Sequence, residues 1–156
     1  MKIRYYFIIF VLLLSACSGA KNLENEALAL VNELDIYYKN GKVDEFLKLL
    51  TDDYQSVAYT ISRTVGNNLY TITKPTVSNK QQEEKFMREK LKPGDRPKDI
   101  VVKYASAHYD VKFNTVVVKR DVLYVSEKTV VPMFEIYQFK RYGGKLKLQK
   151  YITYSN

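Results

Sequence analysis

The chain has 156 residues, 46% of them hydrophobic, with Val, Ile, Leu, Phe and Tyr recurring throughout; this excludes a disordered polymer and suits one domain with its own core. A single Cys excludes an internal disulfide, and one His beside that one Cys leaves no basis for a zinc site. The formal net charge of +8 is spread along the chain rather than clustered, so it first describes a solvated surface, with anionic lipid or cell-wall polymer as the charge-driven alternative.

The N-terminus carries the most specific pattern. Met1-Lys2-Ile3-Arg4 is basic, Tyr5 to Leu14 is uninterruptedly apolar, and Leu14-Ser15-Ala16-Cys17 closes the run with small residues before the Cys. The apolar run is far shorter than the roughly 20 residues a membrane-spanning helix needs. This is the build of a secretory signal. Leu14-Ser15-Ala16-Cys17 resembles the bacterial lipobox at every position. The resemblance implies cleavage between Ala16 and Cys17, diacylglyceryl modification of Cys17 and a stable lipid anchor, since two or more acyl chains hold where one does not. Ser18, where an Asp signals inner-membrane retention in enteric-type bacteria, implies the outer membrane in a Gram-negative host. In a Gram-positive host the anchor is the outer face of the cell membrane. The expected organisation is a signal over 1–16, a lipidated tether over 17–22 reaching at most about 18 Å from Ser18 onward, and one domain over 23–156. That address argues against nucleic acid as a partner, despite the many Lys and Tyr.

Residues 23–40 carry Ala27, Leu30, Val31, Leu34 and Tyr38 at helical spacing, with acidic residues in the first half and Asn40-Gly41 as the stop. A short second helix presents Val43, Phe46, Leu47 and Leu50, and Thr51-Asp52-Asp53 reads locally as the turn that ends it. Tyr54 to Val65 and Leu69 to Thr73 form a hairpin about Gly66-Asn67-Asn68, broken by Lys74-Pro75. Ser78 or Asn79 caps a charged third helix, with Gln81 or Gln82 completing a capping box. Its few apolar residues are Phe86, Met87 and Leu91, and Lys92-Pro93-Gly94-Asp95 stops it. The remainder reads as strand. Ile100 to Val118 is one long strand bent near Ala105-Ser106-Ala107, and Lys119-Arg120-Asp121 turns it into Val122 to Val131. Pro132 marks an edge or a break. Met133 to Tyr142 and Lys145 to Tyr154 pair about Gly143-Gly144. Helices first and strands after predict an α+β fold, with N-terminal helices packed on a curved antiparallel sheet.

This order resembles the NTF2-like (cystatin-like, SnoaL-like) cone. The resemblance is carried by Asn40-Gly41-Lys42-Val43-Asp44-Glu45-Phe46 between two helices, by Leu50-Thr51-Asp52-Asp53-Tyr54 entering the first strand, and by Gly143-Gly144-Lys145-Leu146 before the last strand. It implies a pocket between sheet and helices, used by some members for ligand binding and by others, such as ketosteroid isomerases and polyketide cyclases, for acid–base chemistry in an apolar cavity. Tyr38, Tyr54 and Tyr137 are the expected pocket residues, with Tyr37 a further hydroxyl. His108 and Asp110, two apart on one strand face, are the candidate catalytic pair, although both also suit ordinary surface roles. No phosphate loop, nucleophile elbow, metal-ligand spacing or cofactor motif occurs. Two functions follow. One is a non-catalytic envelope lipoprotein that binds a small apolar ligand in its cone or a protein partner on its sheet, a homodimer through the sheet included. The other is a cyclase- or isomerase-like enzyme acting on a hydrophobic substrate.

Overall fold

The computed structural model describes residues 22–64, 69–90, 100–110, 113–124 and 128–155. The signal, Ala16, Cys17, the Gly66-Asn67-Asn68 turn and the Lys92-Pro93-Gly94-Asp95 stop lie outside the described residues. Helix α1 spans residues 22–39. It ends as its sequence dictates: Gly41 sits at φ 62°, where a side chain would be strained. The Lys42 N–H donates to the Tyr37 carbonyl and the Gly41 N–H to that of Tyr38, a Schellman motif that satisfies the last turn. Helix α2 (Val43–Lys48) follows at once and buries Val43 and Phe46.

The strands are β1 (Leu50–Thr64), β2 (Leu69–Ile72), β3 (Thr76–Asn79), β4 (Ile100–Asp110), β5 (Thr115–Tyr124), β6 (Thr129–Tyr142) and β7 (Lys145–Ser155), with α3 (Lys80–Lys90) between β3 and β4. They form one sheet in the order β2-β1-β7-β6-β5-β4, with β3 also pairing β1. Neighbours are antiparallel except β1 and β7, which run parallel, so the sheet is mixed. Asn79 caps α3 reciprocally: its Oδ1 accepts from the Gln82 N–H at 3.0 Å while Gln82 Oε1 accepts from the Asn79 N–H at 2.9 Å. Gly143 and Gly144, at φ 58° and 79°, make the tight turn between β6 and β7.

The α+β reading holds, and the structure corrects it in four places. Asp52 and Asp53 lie inside β1 and do not form a turn. A register shift against β7 between Leu50 and Gln55 leaves both exposed. The run from Ile100 to Val118 is two strands, β4 and β5, joined through Phe113 and Asn114. Asn114 takes φ 48°, and Asp110 Oδ1 accepts the Phe113 N–H at 3.3 Å. The bend expected near Ala105 is present as a register shift between Tyr104 and Ser106. Lys119-Arg120-Asp121 is the interior of β5; the reversal to β6 falls later, next to Lys128 at φ 53°. Pro132 sits within β6 opposite Asp121, and β7 ends opposite Met133, so Pro132 needs a partner on the β5 side alone.

The helices cover one face of the sheet. Ala27, Leu30, Val31 and Leu34 of α1, Met87 of α3, Val116 and Val118 of β5, Phe139 of β6 and Leu148 of β7 share one buried cluster. Each large apolar side chain so buried is worth about 1.5–3 kcal/mol. Glu26 clasps α1 to the β6–β7 hairpin, meeting Arg141 Nη2 at 2.7 Å and accepting the Leu146 N–H at 3.3 Å.

Candidate ligand-binding cavity

Between α1, α2, α3 and the sheet lies a cavity of about 370 Å³. Leu34, Phe46, Val122, Met133 and Leu148 supply apolar wall. Tyr38, Tyr54 and Tyr137, the three tyrosines picked from the sequence, all line it. Tyr37 does not; its hydroxyl donates to Glu33 at 2.7 Å. His108 is exposed on β4, and neither it nor Asp110 lines this cavity or the neighbouring hollow. That places the expected acid–base pair on the outside.

The polar end of the cavity is built around Arg120. Strand alternation sets it in phase with buried Val116, Val118 and Val122, so its guanidinium enters the layer between sheet and helices. Its Nη1 meets Asp35 of α1 at 2.7 Å, its Nε pairs with Glu135 of β6, and its Nη2 donates to the Tyr137 hydroxyl at 3.1 Å. Tyr151 of β7 donates in turn to Glu135 Oε1. Burial by itself would lower the Arg120 pKa, but the hydrogen bond to Asp35, with Tyr137 and Glu135 beside it, outweighs this and raises it. Burial raises the hydroxyls of Tyr137 and Tyr151 well above their usual values, with the Glu135 charge adding to it. The network ties three strands to α1. It is a strut between sheet and helix.

The opposite wall holds a different kind of group. Glu83, on the first turns of α3, lines the cavity, and burial raises its pKa above the usual carboxyl value. Among the described residues its carboxylate has no hydrogen bond or ion pair. It faces Tyr38 of α1 and Tyr54 of β1, whose hydroxyls are raised first by burial and then by its charge. The Tyr38 and Phe46 rings lie 6.2 Å apart at 57° beside it.

Sequence reasoning missed Asp35, Glu83, Arg120 and Glu135. Two of them carried a signal. Glu135 keeps phase with Tyr137 and Phe139, and Arg120 with three valines, so each charge stands on a strand face that is otherwise apolar. Glu83 and Asp35 carried none, because acidic residues near a helix start or on a polar helix face are the commonest kind of surface residue.

The opposite face of the sheet is also apolar. Cross-strand pairing puts Val77, Val57, Ile152, Ile136 and Val117 in one row and Tyr59, Tyr154 and Phe134 in the next. Val77, Val117 and Phe134 are exposed, and the Tyr59 and Tyr154 rings stack at 4.9 Å.

No family model matches the sequence, and no curated protein does. Solved structures match most of its length. A protein of unknown function with a cystatin-like fold from Nostoc punctiforme is 14% identical, covering 85% of this chain and 90% of its own, with a TM-score of 0.56. An NTF2-like protein of unknown function from Cytophaga hutchinsonii is 9% identical over 83% and 89%, with a TM-score of 0.51. PrhC from Penicillium brasilianum is 12% identical over 86% and 82%, with a TM-score of 0.54. The fold is therefore that of the NTF2-like, cystatin-like proteins.

Proposed function

We propose that this chain is a lipid-anchored envelope protein whose cone binds a small, largely apolar ligand without transforming it. The observation that carries the binding role is the cavity: apolar and aromatic walls around about 370 Å³, bounded at one end by the Arg120 ion pairs with Asp35 and Glu135. The anchor is supported by Leu14-Ser15-Ala16-Cys17 at the end of a basic-then-apolar segment. Protein recovered from membranes should begin at Cys17 and carry acyl mass by mass spectrometry. A neutral naphthylamine dye should bind the protein and gain fluorescence. Val122→Phe, which fills the cavity from β5, should weaken that binding at least about tenfold. Equal dye binding by the variant, or none by the parent, removes the cavity from the function.

The apolar outer face of the sheet supports a second role, docking a protein partner, a second copy of the chain included. Light scattering should then show a dimer that Ile152→Lys converts to monomer; a monomer at all concentrations removes the homodimer. A cyclase- or isomerase-like activity is favoured by one observation, the unpaired Glu83 carboxylate in an apolar wall. Its signature is deuterium entering a co-purified ligand in heavy water at a rate that falls with Glu83→Gln. A ligand recovered without deuterium supports carriage.

A further inference from the structure

We propose that the cavity selects a ligand with a cationic head, an ammonium group held between the Glu83 carboxylate and the rings of Tyr38 and Tyr54, with its apolar body against Val122, Met133 and Leu148. This rests on the ligand-binding reading above and specifies the ligand class.

Charge balance points the same way as position. Among the described residues lining the cavity, the carboxylates Asp35, Glu83 and Glu135 face the basic groups Lys39 and Arg120, leaving one negative charge in excess. The chain as a whole carries +8. A negative cavity in a positive protein is a local arrangement, not a reflection of composition. Of these three carboxylates, Glu83 alone has no ion pair. Asp35 and Glu135 are both engaged by Arg120, and the third face of that guanidinium is taken by the Tyr137 hydroxyl. An anionic head would therefore find no free guanidinium edge, only the Lys39 ammonium, and would meet the unpaired Glu83 carboxylate. A neutral head would leave the Glu83 charge half-buried and unpaired, which costs free energy that a cation returns. Tyr38 and Tyr54 complete the match, because aromatic faces attract ammonium groups electrostatically, more strongly when desolvated. The groups facing Glu83 are Tyr38 from α1 and Tyr54 from β1, and Lys39 lines the same cavity from the end of α1. The raised proton affinity of Glu83 fits a site waiting for positive charge.

The test uses the full chain and three probes with one apolar body: benzyltrimethylammonium, benzyl alcohol and benzylsulfonate, titrated by calorimetry. The ammonium probe should bind at least about tenfold tighter than either of the others. Glu83→Gln, isosteric and uncharged, should erase that preference, bringing the ammonium probe and benzyl alcohol to similar affinities. In the unsubstituted protein the preference should also fade as pH drops through the raised Glu83 pKa, a readout that needs no variant to fold. Equal or tighter binding of the sulfonate overturns the proposal, as does a preference that survives Glu83→Gln. If none of the three binds while the naphthylamine dye does, the cationic specificity fails and the cavity reading stands. If the dye fails too, the cavity reading itself falls.

Discussion

Replacing Arg120 by Met is expected to lower the folding free energy by about 3–5 kcal/mol, measured by urea denaturation. The reason is what the substitution leaves behind. The Arg120 and Glu135 side chains are only 9% and 8% exposed, so Glu135 becomes a buried charge without a counter-charge. Asp35, at 27%, regains some water and contributes less. Adding Asp35→Asn and Glu135→Gln should recover much of the loss, since the orphaned charges go while an acceptor for the Tyr151 hydroxyl remains. Lys140 gives the contrast. Its ammonium lies 3.5 Å from Asp53, with both side chains more than half exposed, and Lys140→Ala should cost less than about 1 kcal/mol. A cost of that size for Arg120→Met would show that the network contributes geometry and little stability.

Met87→Ala is expected to cost about 2–5 kcal/mol, whereas Phe86→Ala beside it should stay within about 0.5 kcal/mol. Met87 is fully buried, and it is the residue by which α3 enters the core; Phe86 is 47% exposed. The surface ion pairs of α3, Arg88 to Asp44 and Glu84, are too exposed to substitute for it. Met87→Leu, nearly equal in volume, should cost under about 1.5 kcal/mol. Because α3 also carries Glu83, the alanine variant should lose ligand selectivity along with stability, while Met87→Leu keeps both. Equal costs at Met87 and Phe86 would mean that α3 is held by something other than its one buried side chain.

What could be read from the sequence was local. Asn40-Gly41, Gly143-Gly144 and the Asn79–Gln82 box each fix a boundary through backbone geometry within a few residues, and each is where it was expected. Errors arose where local and distant forces disagreed. Asp52-Asp53 has turn chemistry, but Leu50 and Gln55 on either side pair with β7 far downstream and carry the strand through it. Lys119-Arg120-Asp121 looks like a solvated turn because three adjacent charges usually are one, and only Asp35 and Glu135 on other elements make it an interior. The real reversal at Phe113-Asn114 has neither Gly nor Pro, and Asn114 tolerates positive φ without advertising it. The aromatic side of the cavity was legible, since large rings on strands must pack somewhere. Its charged side was not, because a carboxylate's role depends on what folds over it.

The position of β7 in the sheet has a consequence for how the chain acquires its structure. Ser56 pairs with Tyr151 and Val57 with Ile152, so β1 cannot meet its central neighbour until β7 has been made. The β1–β2 hairpin and the helices beside it are left as a half-built layer during synthesis, with the β1 edge unpaired. Such distant pairing slows folding, because loop closure must precede the contacts that reward it. A nascent chain of this design cannot complete its sheet until its C-terminal hairpin has been made.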